Sequence, residues 1–458
     1  MKIGAAYEVQ IIGMTQDGCG IGLVDGVKVF VIGAVLGEKV QVQITKICEE
    51  YAAAKITSMV TAGVQRVEHF CSHFGECGGC AFQNIAYEDQ LKIKTEMVRE
   101  ALVRVAELDD HKVEKTIGME LPLRYRNKAL YPIGETAFTT TIGFYRTRSN
   151  QVVDVAECGI QQEISNKVKE VVKNYIKSQG LPIYHKERGQ GLVRHLVTRT
   201  SRKTGEVMAI LVINGDTLPA AEQFVTALVQ AVPQVKSIYI NINKDAGNNV
   251  MGFENLLIYG QPTITDTIGK FLFDISPLSF FQVNPIQTEV LYDKVVEYAG
   301  LTGRETVLDL YCGIGTISLY LAEKARRVIG VEAVEEAVED AVRNAKRNGV
   351  ENVEFVSGRV EQRMEQVSVQ VGKVDVVVID PPRKGCKVAV LNALSRLKPD
   401  RIVYVSCNPT TLARDVKLLL EKGFSLEAVQ PVDMFPHTAH VETIIMMTNC
   451  GFGKNIRI

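Results

Sequence analysis

From about residue 285 onward, apolar strand candidates alternate with helical stretches, and no other feature limits the fold of this chain as strongly. The candidates are TVLDLYC, RRVIGVE, VEFVSG, VDVVVIDPP and RIVYVSC, then SLEAVQPVDMF and HVETIIMMT. Such alternation predicts a doubly wound α/β sheet of mainly parallel strands, finished by a hairpin. Ligands of these sheets sit outside the carboxyl ends of the strands. The strand tips are therefore where chemistry should be sought.

The first tip runs from strand through a glycine-rich turn into a helix, over VLDLYCGIGTISLYLA. Gly313 and Gly315 let the backbone turn tightly and approach a ligand. A dinucleotide fingerprint would want a third glycine where Ser318 stands. Asp309, ahead of the turn, favours a cationic or hydroxyl-rich ligand over a pyrophosphate. Glu332 ends the next strand, seventeen residues after Gly315, where a carboxylate can accept both ribose hydroxyls of an adenosine. The lesser reading of Glu332 is a solvated acid opening a helix, where the dipole favours it. Asp380 closes a later strand in DPPR. Together Asp309, Gly313, Gly315, Glu332 and Asp380 resemble the class I S-adenosylmethionine-dependent methyltransferases.

Cys407 directly follows the strand RIVYVS, and Asn408-Pro409 cannot continue a central strand. Most cysteines in core strands are inert packing. This one stands at an exposed end, beside the cofactor crevice. A thiolate there suits covalent catalysis on a pyrimidine. Attack at C6 of uracil makes C5 enolate-like, so that C5 accepts a methyl group. A base must then remove the C5 proton, and Glu442, in HVETI at the start of a late strand, is the candidate. Without further support it is equally a surface acid at a strand start.

The N-terminal part reads differently. Residues 1–60 hold short strands such as YEVQII, KVFVIG and EKVQVQITKI, separated by Asp-Gly turns, and suggest a small closed barrel. Residues 61–284 begin with a cysteine cluster and an amphipathic stretch, YEDQLKIKTEMVREALVRVAEL, with Leu91, Met97, Leu102 and Val105 near one face. Strands such as GLVRHLVTRTS, GEVMAILVIN and SIYININ then mix with the helices NKVKEVVKNYIKS and LPAAEQFVTALVQAV, which describes an α+β unit. The expected organisation is thus multidomain, 1–60, 61–284 and 285–458, in keeping with a length of 458 residues.

Ten cysteines are spread over the chain. The N-terminus shows no secretory pattern, and no run of about 18 apolar residues occurs, so a cytoplasmic protein without a membrane span is expected. In that compartment cysteines serve as thiols, ligands or nucleophiles. Cys71, Cys77 and Cys80 have five and two intervening residues, and Cys158 lies further on in VAECGI. Glycines 75, 78 and 79 let the loop wrap closely around a bound group. Spacing leaves zinc and an iron–sulfur cluster both open.

The segments SCNP, DPP, DLYCG, SFFQVN and HVE together resemble the RNA uracil-C5 methyltransferase family, over essentially the whole chain. The resemblance implies S-adenosylmethionine bound by Gln282, Tyr311, Glu332 and Asp380, with Cys407 as nucleophile and Glu442 as base. It makes the N-terminal module an OB-like TRAM barrel and the C-terminal part a Rossmann-like class I methyltransferase domain. It also makes Cys71, Cys77, Cys80 and Cys158 ligands of a [4Fe–4S] cluster, as in the ribosomal RNA branch. With every iron held by protein, the implied role is folding or RNA docking. His69 and His73 read as surface residues, and Gln282 rests on the resemblance alone.

The net charge of −1 does not advertise a nucleic-acid partner, but local patches decide that. Residues 121–150 carry Arg124, Arg126, Lys128, Arg146 and Arg148 against Glu135, interleaved with Tyr125, Tyr131, Phe144 and Tyr145. Residues 185–205 carry Lys186, Arg188, Arg194, Arg199, Arg202 and Lys203 against Glu187. Cations suit phosphates, and aromatics stack on unpaired bases. The expected substrate is a loop uridine of 23S ribosomal RNA, because an unpaired base is cheaper to extrude. The expected state is a monomer with no obligate protein partner. The rivals are a transfer-RNA uracil-C5 methyltransferase, which usually lacks the barrel and the four cysteines, a DNA cytosine-C5 methyltransferase, which would want Pro-Cys, and a non-catalytic RNA-binding iron–sulfur protein.

Overall fold

Alternation of buried with more exposed residues gives the N-terminal strands one inward face, and they curl into a tube around it. In the computed structural model, which describes residues 1–108, 113–136 and 139–451, β1 (Ala6–Met14), β2 (Cys19–Val24), β3 (Val27–Ile32), β4 (Lys39–Ile47) and β5 (Tyr51–Thr61) close into a barrel. The order is β1-β2-β3-β5-β4, with β3 and β5 parallel and the other pairs antiparallel. Val9, Ile11, Val29, Val31, Val40, Val42 and Ile44 fill it. A Cβ at Gly22 would stand 2.2 Å from the Val9 side chain, so the narrow bore itself requires glycine there.

The helix α1 (Tyr87–Ala106) follows the cysteine segment. Its burial is wider than the single apolar face expected. Gln90 and Lys94 are fully buried together with Met97, Val98, Ala101 and Leu102. The helix is wedged between the barrel and the C-terminal sheet. Val98, Ala101 and Leu102 share a core with that sheet, and Glu100 approaches Gly13 of β1.

The middle of the chain forms a seven-stranded sheet. It contains β6 (Lys128–Glu135), β7 (Thr140–Tyr145), β8 (Val152–Asp154), β9 (Val193–Thr200), β10 (Val207–Ile213), β11 (Val235–Ile242) and β12 (Glu254–Gly260), in the order β12-β11-β10-β9-β6-β7-β8. The helices α2 (Glu163–Gln179) and α3 (Ala221–Ala231) pack through Val172, Tyr175, Phe224 and Leu228 into its core. A hairpin, β13 (Ile264–Ile268) and β14 (Phe271–Ile275), joins the core of the last unit instead.

That unit is the doubly wound sheet expected. Its elements are α4 (Pro285–Ala299), β15 (Thr306–Leu310), α5 (Thr316–Ala322), β16 (Arg327–Glu332), α6 (Glu335–Arg347), β17 (Val353–Ser357), α7 (Val360–Val371), β18 (Val376–Ile379), α8 (Val388–Leu397), β19 (Arg401–Ser406), α9 (Pro409–Glu421), β20 (Phe424–Val432) and β21 (Glu442–Asn449). The order is β17-β16-β15-β18-β19-β21-β20, parallel up to β19 and closed by the antiparallel pair β20 and β21. The strand order reverses between β15 and β18, which opens a crevice at their tips. Asn284 and Asn408 cap α4 and α9, each ahead of a proline at the first helical position. Among the described residues, no helix is long and apolar enough to cross a membrane.

A buried ion pair joins α1 to the chain between β20 and β21. Lys94 Nζ lies 2.5 Å from Asp433 Oδ1 and 3.1 Å from the Phe435 carbonyl, and both charged side chains are fully buried. Tyr87 donates to the other Asp433 oxygen at 2.9 Å. Removing one member of such a pair strands the other charge, at a cost of roughly 3–5 kcal/mol. Lys94→Met is therefore expected to lower stability by about 3 kcal/mol or more, read as an earlier urea midpoint. An unchanged midpoint would show that the pair is dispensable.

Candidate active site

The ends of four parallel strands, β15, β16, β18 and β19, and the segment leading into β21 meet at one cavity of about 910 Å³. It is lined by Gln282, Tyr311, Glu332, Asp380, Cys407 and Glu442. The six site residues expected from the sequence, distant in the chain, thus share one enclosure. Tyr311 takes a left-handed backbone, φ 66°, while its amide bonds the Val331 carbonyl at 2.9 Å. That turn ends β15 abruptly and opens the space above it. Gly313, at φ 54°, and Gly315, at φ 82°, carry the chain on into α5. A Cβ at Gly315 would stand 2.8 Å from the Phe355 ring, so the turn also needs glycine for packing.

The two acids of the cofactor turn have different surroundings. Glu332 faces the cavity, and its carboxylate accepts from the amides of Gly313 at 3.1 Å, Ala333 at 2.7 Å and Val334 at 2.9 Å. These bonds fix its orientation and leave further lone pairs for a ligand. Asp309 does not line the cavity. It is fully buried and accepts from Ser318 Oγ at 2.5 Å, so it anchors α5 rather than facing a ligand. This departs from the expectation that Asp309 addresses the ligand directly. Its carboxyl is pushed up to about 7, chiefly by burial. Ser318, where a dinucleotide site would carry glycine, is thus a structural partner.

The nucleophile candidate is fixed by its neighbours. Asn408 caps α9 by accepting from the amides of Thr410 and Thr411 at 3.0 and 3.1 Å. Its Nδ2 donates to the Arg383 carbonyl at 3.2 Å. Cys407 is held between this cap and β19, half-buried. Burial pushes its thiol up to about 11, helped by Glu442 and opposed by Arg383. Glu442 is pushed up to about 8 by burial and by Asp380, again against Arg383. Its Oε2 is buried with no hydrogen-bond partner among the described residues. Burial alone lifts Asp380 to about 7. Perturbed groups converging on one cavity mark a working site more than a scaffold.

Other lining residues carried weak sequence signals. Arg383 follows the DPP tip directly, and its charge acts on both Cys407 and Glu442. Arg126 comes from the basic stretch 121–150 and lies 5.8 Å from the Phe435 ring centroid. His440 is held down to about 4, by burial first and then by Arg383, so it is neutral at physiological pH. Phe280, two residues ahead of Gln282, is two-thirds exposed at the rim.

Comparison with known proteins fits this geometry. The family described as tRNA (Uracil-5-)-methyltransferase matches residues 229–450, and the TRAM domain family matches residues 1–57. An uncharacterized RNA methyltransferase of Caldanaerobacter subterraneus subsp. tengcongensis is 47% identical, over 98% of this chain and 99% of that protein. Another from Clostridium tetani is 46% identical, over 99% and 98%. The chain belongs to the RNA uracil-C5 methyltransferase family. Among solved structures, it is similar to a Pyrococcus abyssi tRNA (uracil-54, C5)-methyltransferase in complex with S-adenosyl-L-homocysteine, at 28% identity and a TM-score of 0.75. That match covers 96% of this chain and all of the other. As a member of this family the chain is an S-adenosylmethionine-dependent RNA methyltransferase with an N-terminal TRAM barrel.

The cysteine segment lies beside a second cavity of about 790 Å³, lined by Cys77 and Cys80 together with Cys19, Phe74, Tyr145, Arg146 and Arg148. Burial pushes Cys77 up to about 11 and Cys80 up to about 12, and the charges of neighbouring cysteines, Cys158 among them, add to this. The thiols therefore feel one another. Among the described residues, however, no three His, Cys, Asp or Glu side chains are grouped to hold a metal ion.

The basic stretches divide on inspection. In 185–205, Arg194 is buried, donates to the carbonyls of Asn243 and Asp245 at 2.6 and 2.8 Å, and stacks over Tyr184. Arg199 is buried and donates to the Pro277 and Ser279 carbonyls, the latter at 2.5 Å. Neither presents charge to a partner, which corrects the reading of that stretch as one cationic face. Arg199 instead fixes the segment leading to Gln282. Lys186, Arg188, Arg202 and Lys203 are exposed. In 121–150, burial pulls Lys128 down to about 7, while Arg146 and Arg148 face the second cavity.

The fields around Cys407 make an opposed pair of predictions. At pH 9, Arg383→Gln should slow alkylation of Cys407 by iodoacetamide, because losing the cation raises the thiol further. Glu442→Gln should speed it, because an anion is removed. Peptide-resolved mass spectrometry reads both rates, and movement in one common direction would refute the electrostatic assignment.

Proposed function

We propose that the chain methylates C5 of one or two loop uridines in 23S ribosomal RNA, with Cys407 as nucleophile and Glu442 as base. The observation that carries this reading is the meeting of Cys407, Glu442, Glu332 and Asp380 in one cavity. S-adenosylmethionine supplies the methyl group when bound, and Gln282, Tyr311, Glu332 and Asp380 would hold it. The cradle suits it: glycine turns, a fixed carboxylate at Glu332 and buried acids that gain from a cationic ligand.

The protein's own steps follow from the side chains. The Cys407 thiolate adds to C6 of the uracil, and the electron pair of the C5–C6 double bond moves toward O4, making C5 nucleophilic. Once C5 carries its methyl group, the Glu442 carboxylate takes the C5 proton. The pair from that C–H bond reforms the double bond, and the thiolate leaves C6. Oε2 of Glu442, buried and without a protein partner, is the oxygen free to receive the proton. Glu442 must be ionised for this, so kcat/KM is expected to rise with pH through about 8. A profile flat between pH 6 and 9 would remove Glu442 as the base.

Cys407→Ala should abolish 5-methyluridine formation, and RNA containing 5-fluorouridine should trap a covalent complex, since fluorine cannot leave as a proton. Methylation persisting in Cys407→Ala would refute the mechanism and leave the non-catalytic reading of Cys407 standing.

The same four cysteines, Cys71, Cys77, Cys80 and Cys158, are proposed to hold a [4Fe–4S] cluster. A cubane takes each thiolate at a separate iron corner; the reading rests on the family resemblance and on the charge interaction among these cysteines. When bound, the cluster would clamp residues 71–80 to the segment around Cys158. An anaerobic preparation should be brown with broad visible absorption, and a colourless protein with one zinc would overturn the assignment.

A transfer-RNA substrate is the second reading. It is favoured by the family description over residues 229–450 and by the Pyrococcus structure, whose similarity extends over 96% of this chain. Coverage that extensive reaches into the barrel and the cysteine segment, so these do not separate the branches by themselves. Mapping 5-methyluridine in 23S ribosomal and transfer RNA, with and without the protein, decides between them.

A further inference from the structure

The turn joining β1 to β2 leaves the barrel and reaches the catalytic cavity. Gln16 and Asp17 line the same cavity as Cys407. Gln16 Nε2 donates to Asn408 Oδ1, the side chain next to the nucleophile candidate. The turn is shaped for this reach: Thr15 and Cys19 bond through their backbones at 2.8 Å, and the Gly18 amide donates to the Thr15 carbonyl at 3.1 Å. Gly18 has φ 82°, and a Cβ there would stand 2.7 Å from Ala81 Cβ and 3.3 Å from Ala439 Cβ. Ala81 follows the cysteine loop, and Ala439 lies three residues before Glu442. The turn is therefore seated between the cysteine segment and the catalytic loop, with its far side held by Arg148, 3.0 Å from Cys19 Sγ and 3.5 Å from Asp17 Oδ2.

We propose that residues 15–18 of the barrel form part of the catalytic wall, and that Gln16 is a positioning residue for the Cys407 loop. The proposal rests on the reading of Cys407 as nucleophile. Asn408 Oδ1 already accepts the two amides that start α9, while Nδ2 holds the Arg383 carbonyl. Asn408 is thus a junction between the strand tip bearing Cys407, the DPPR segment and α9. Gln16 adds the barrel as a fourth member. A barrel that only captured RNA would need no donor aimed at this junction. A donor placed there makes seating of the barrel part of assembling the reactive geometry, where small displacements weigh heavily on rate.

The test uses the full-length protein, with single-turnover methylation of RNA at saturating concentration and RNA affinity measured separately. Gln16 is exposed, so its replacement does not threaten folding. Gln16→Met keeps the length and removes the donor. Its single-turnover rate should fall about tenfold, with RNA affinity within about twofold of the unaltered protein. Gln16→Lys restores a donor of similar reach and should recover most of the rate. Gln16→Met reacting at the unaltered rate, or losing only affinity, would overturn the positioning role. Cys407→Ala run alongside separates the two failures: methylation by that variant refutes the nucleophile, whereas an inactive Cys407→Ala beside a fully active Gln16→Met refutes the present proposal alone.

Discussion

The site depends on how the irregular chain between β20 and β21 is held. Each carbonyl from Asp433 to His437 accepts from a different neighbour. Gln287 bonds the first at 3.2 Å, Asn284 the second at 3.1 Å, Lys94 the third at 3.1 Å and Tyr125 the fourth at 3.0 Å. The amides of Ala81 and Phe82 share the fifth, both at 3.0 Å. A buried loop without such partners would carry unsatisfied backbone groups at about 1–3 kcal/mol each. Here α1, α4, the basic stretch and the cysteine segment all satisfy the same loop. The Lys94–Asp433 pair locks its start, and Glu442 emerges at its end. Positioning of Glu442 is therefore a property of the whole assembly and not of β21 alone.

The cavity beside this loop is lined by the acids Glu332, Asp380 and Glu442. Moving Asp380 from 3.8 to about 7 disfavours its ionised form by about 4 kcal/mol relative to water. A cationic ligand beside it would return part of that energy. The same field holds Cys407 and Glu442 neutral while the cavity is empty of substrate. Arg383 is the counterweight, the cation that lowers both. A neutral thiol is a weak nucleophile, so in that field Cys407 is shielded from casual oxidation or alkylation.

What could be read from the sequence was local. Strand, glycine turn and acid follow one another within a few residues at Asp309–Gly315, and Pro409 marks the end of β19 beside Cys407, so those tips were legible. What could not be read was long-range or buried. Counting cations in 185–205 assumed exposure, yet Arg194 and Arg199 sit inside the protein on backbone carbonyls. The apolar periodicity of α1 named one face, but Gln90 and Lys94 bury a second face that only the loop at 433–437 explains. Asp309 looked like a ligand group because it precedes a glycine turn; its bond to Ser318 appears only once α5 is in place. Gln16 and Asn408 are separated by most of the chain, and no pattern in either segment points to the other.

The two cavities adjoin through Asp17, Gly78, Gly79 and Ala81, which line both. Their chemistry differs in a way that suits a polynucleotide with one extruded base. The inner space holds Cys407 and Glu442, whereas the outer one offers Arg146 and Arg148 with Phe74, Phe144 and Tyr145. In the free protein these arginines are not idle: Arg146 pairs with Glu76, and Arg148 with Asp17. Exposed pairs of this kind contribute roughly 0–1 kcal/mol, less than a charge-assisted bond to phosphate can return. A backbone phosphate would compete with Glu76 and Asp17 for these two cations. Arg148 thus links the two cavities, holding Asp17 in the turn that carries Gln16 into the inner one.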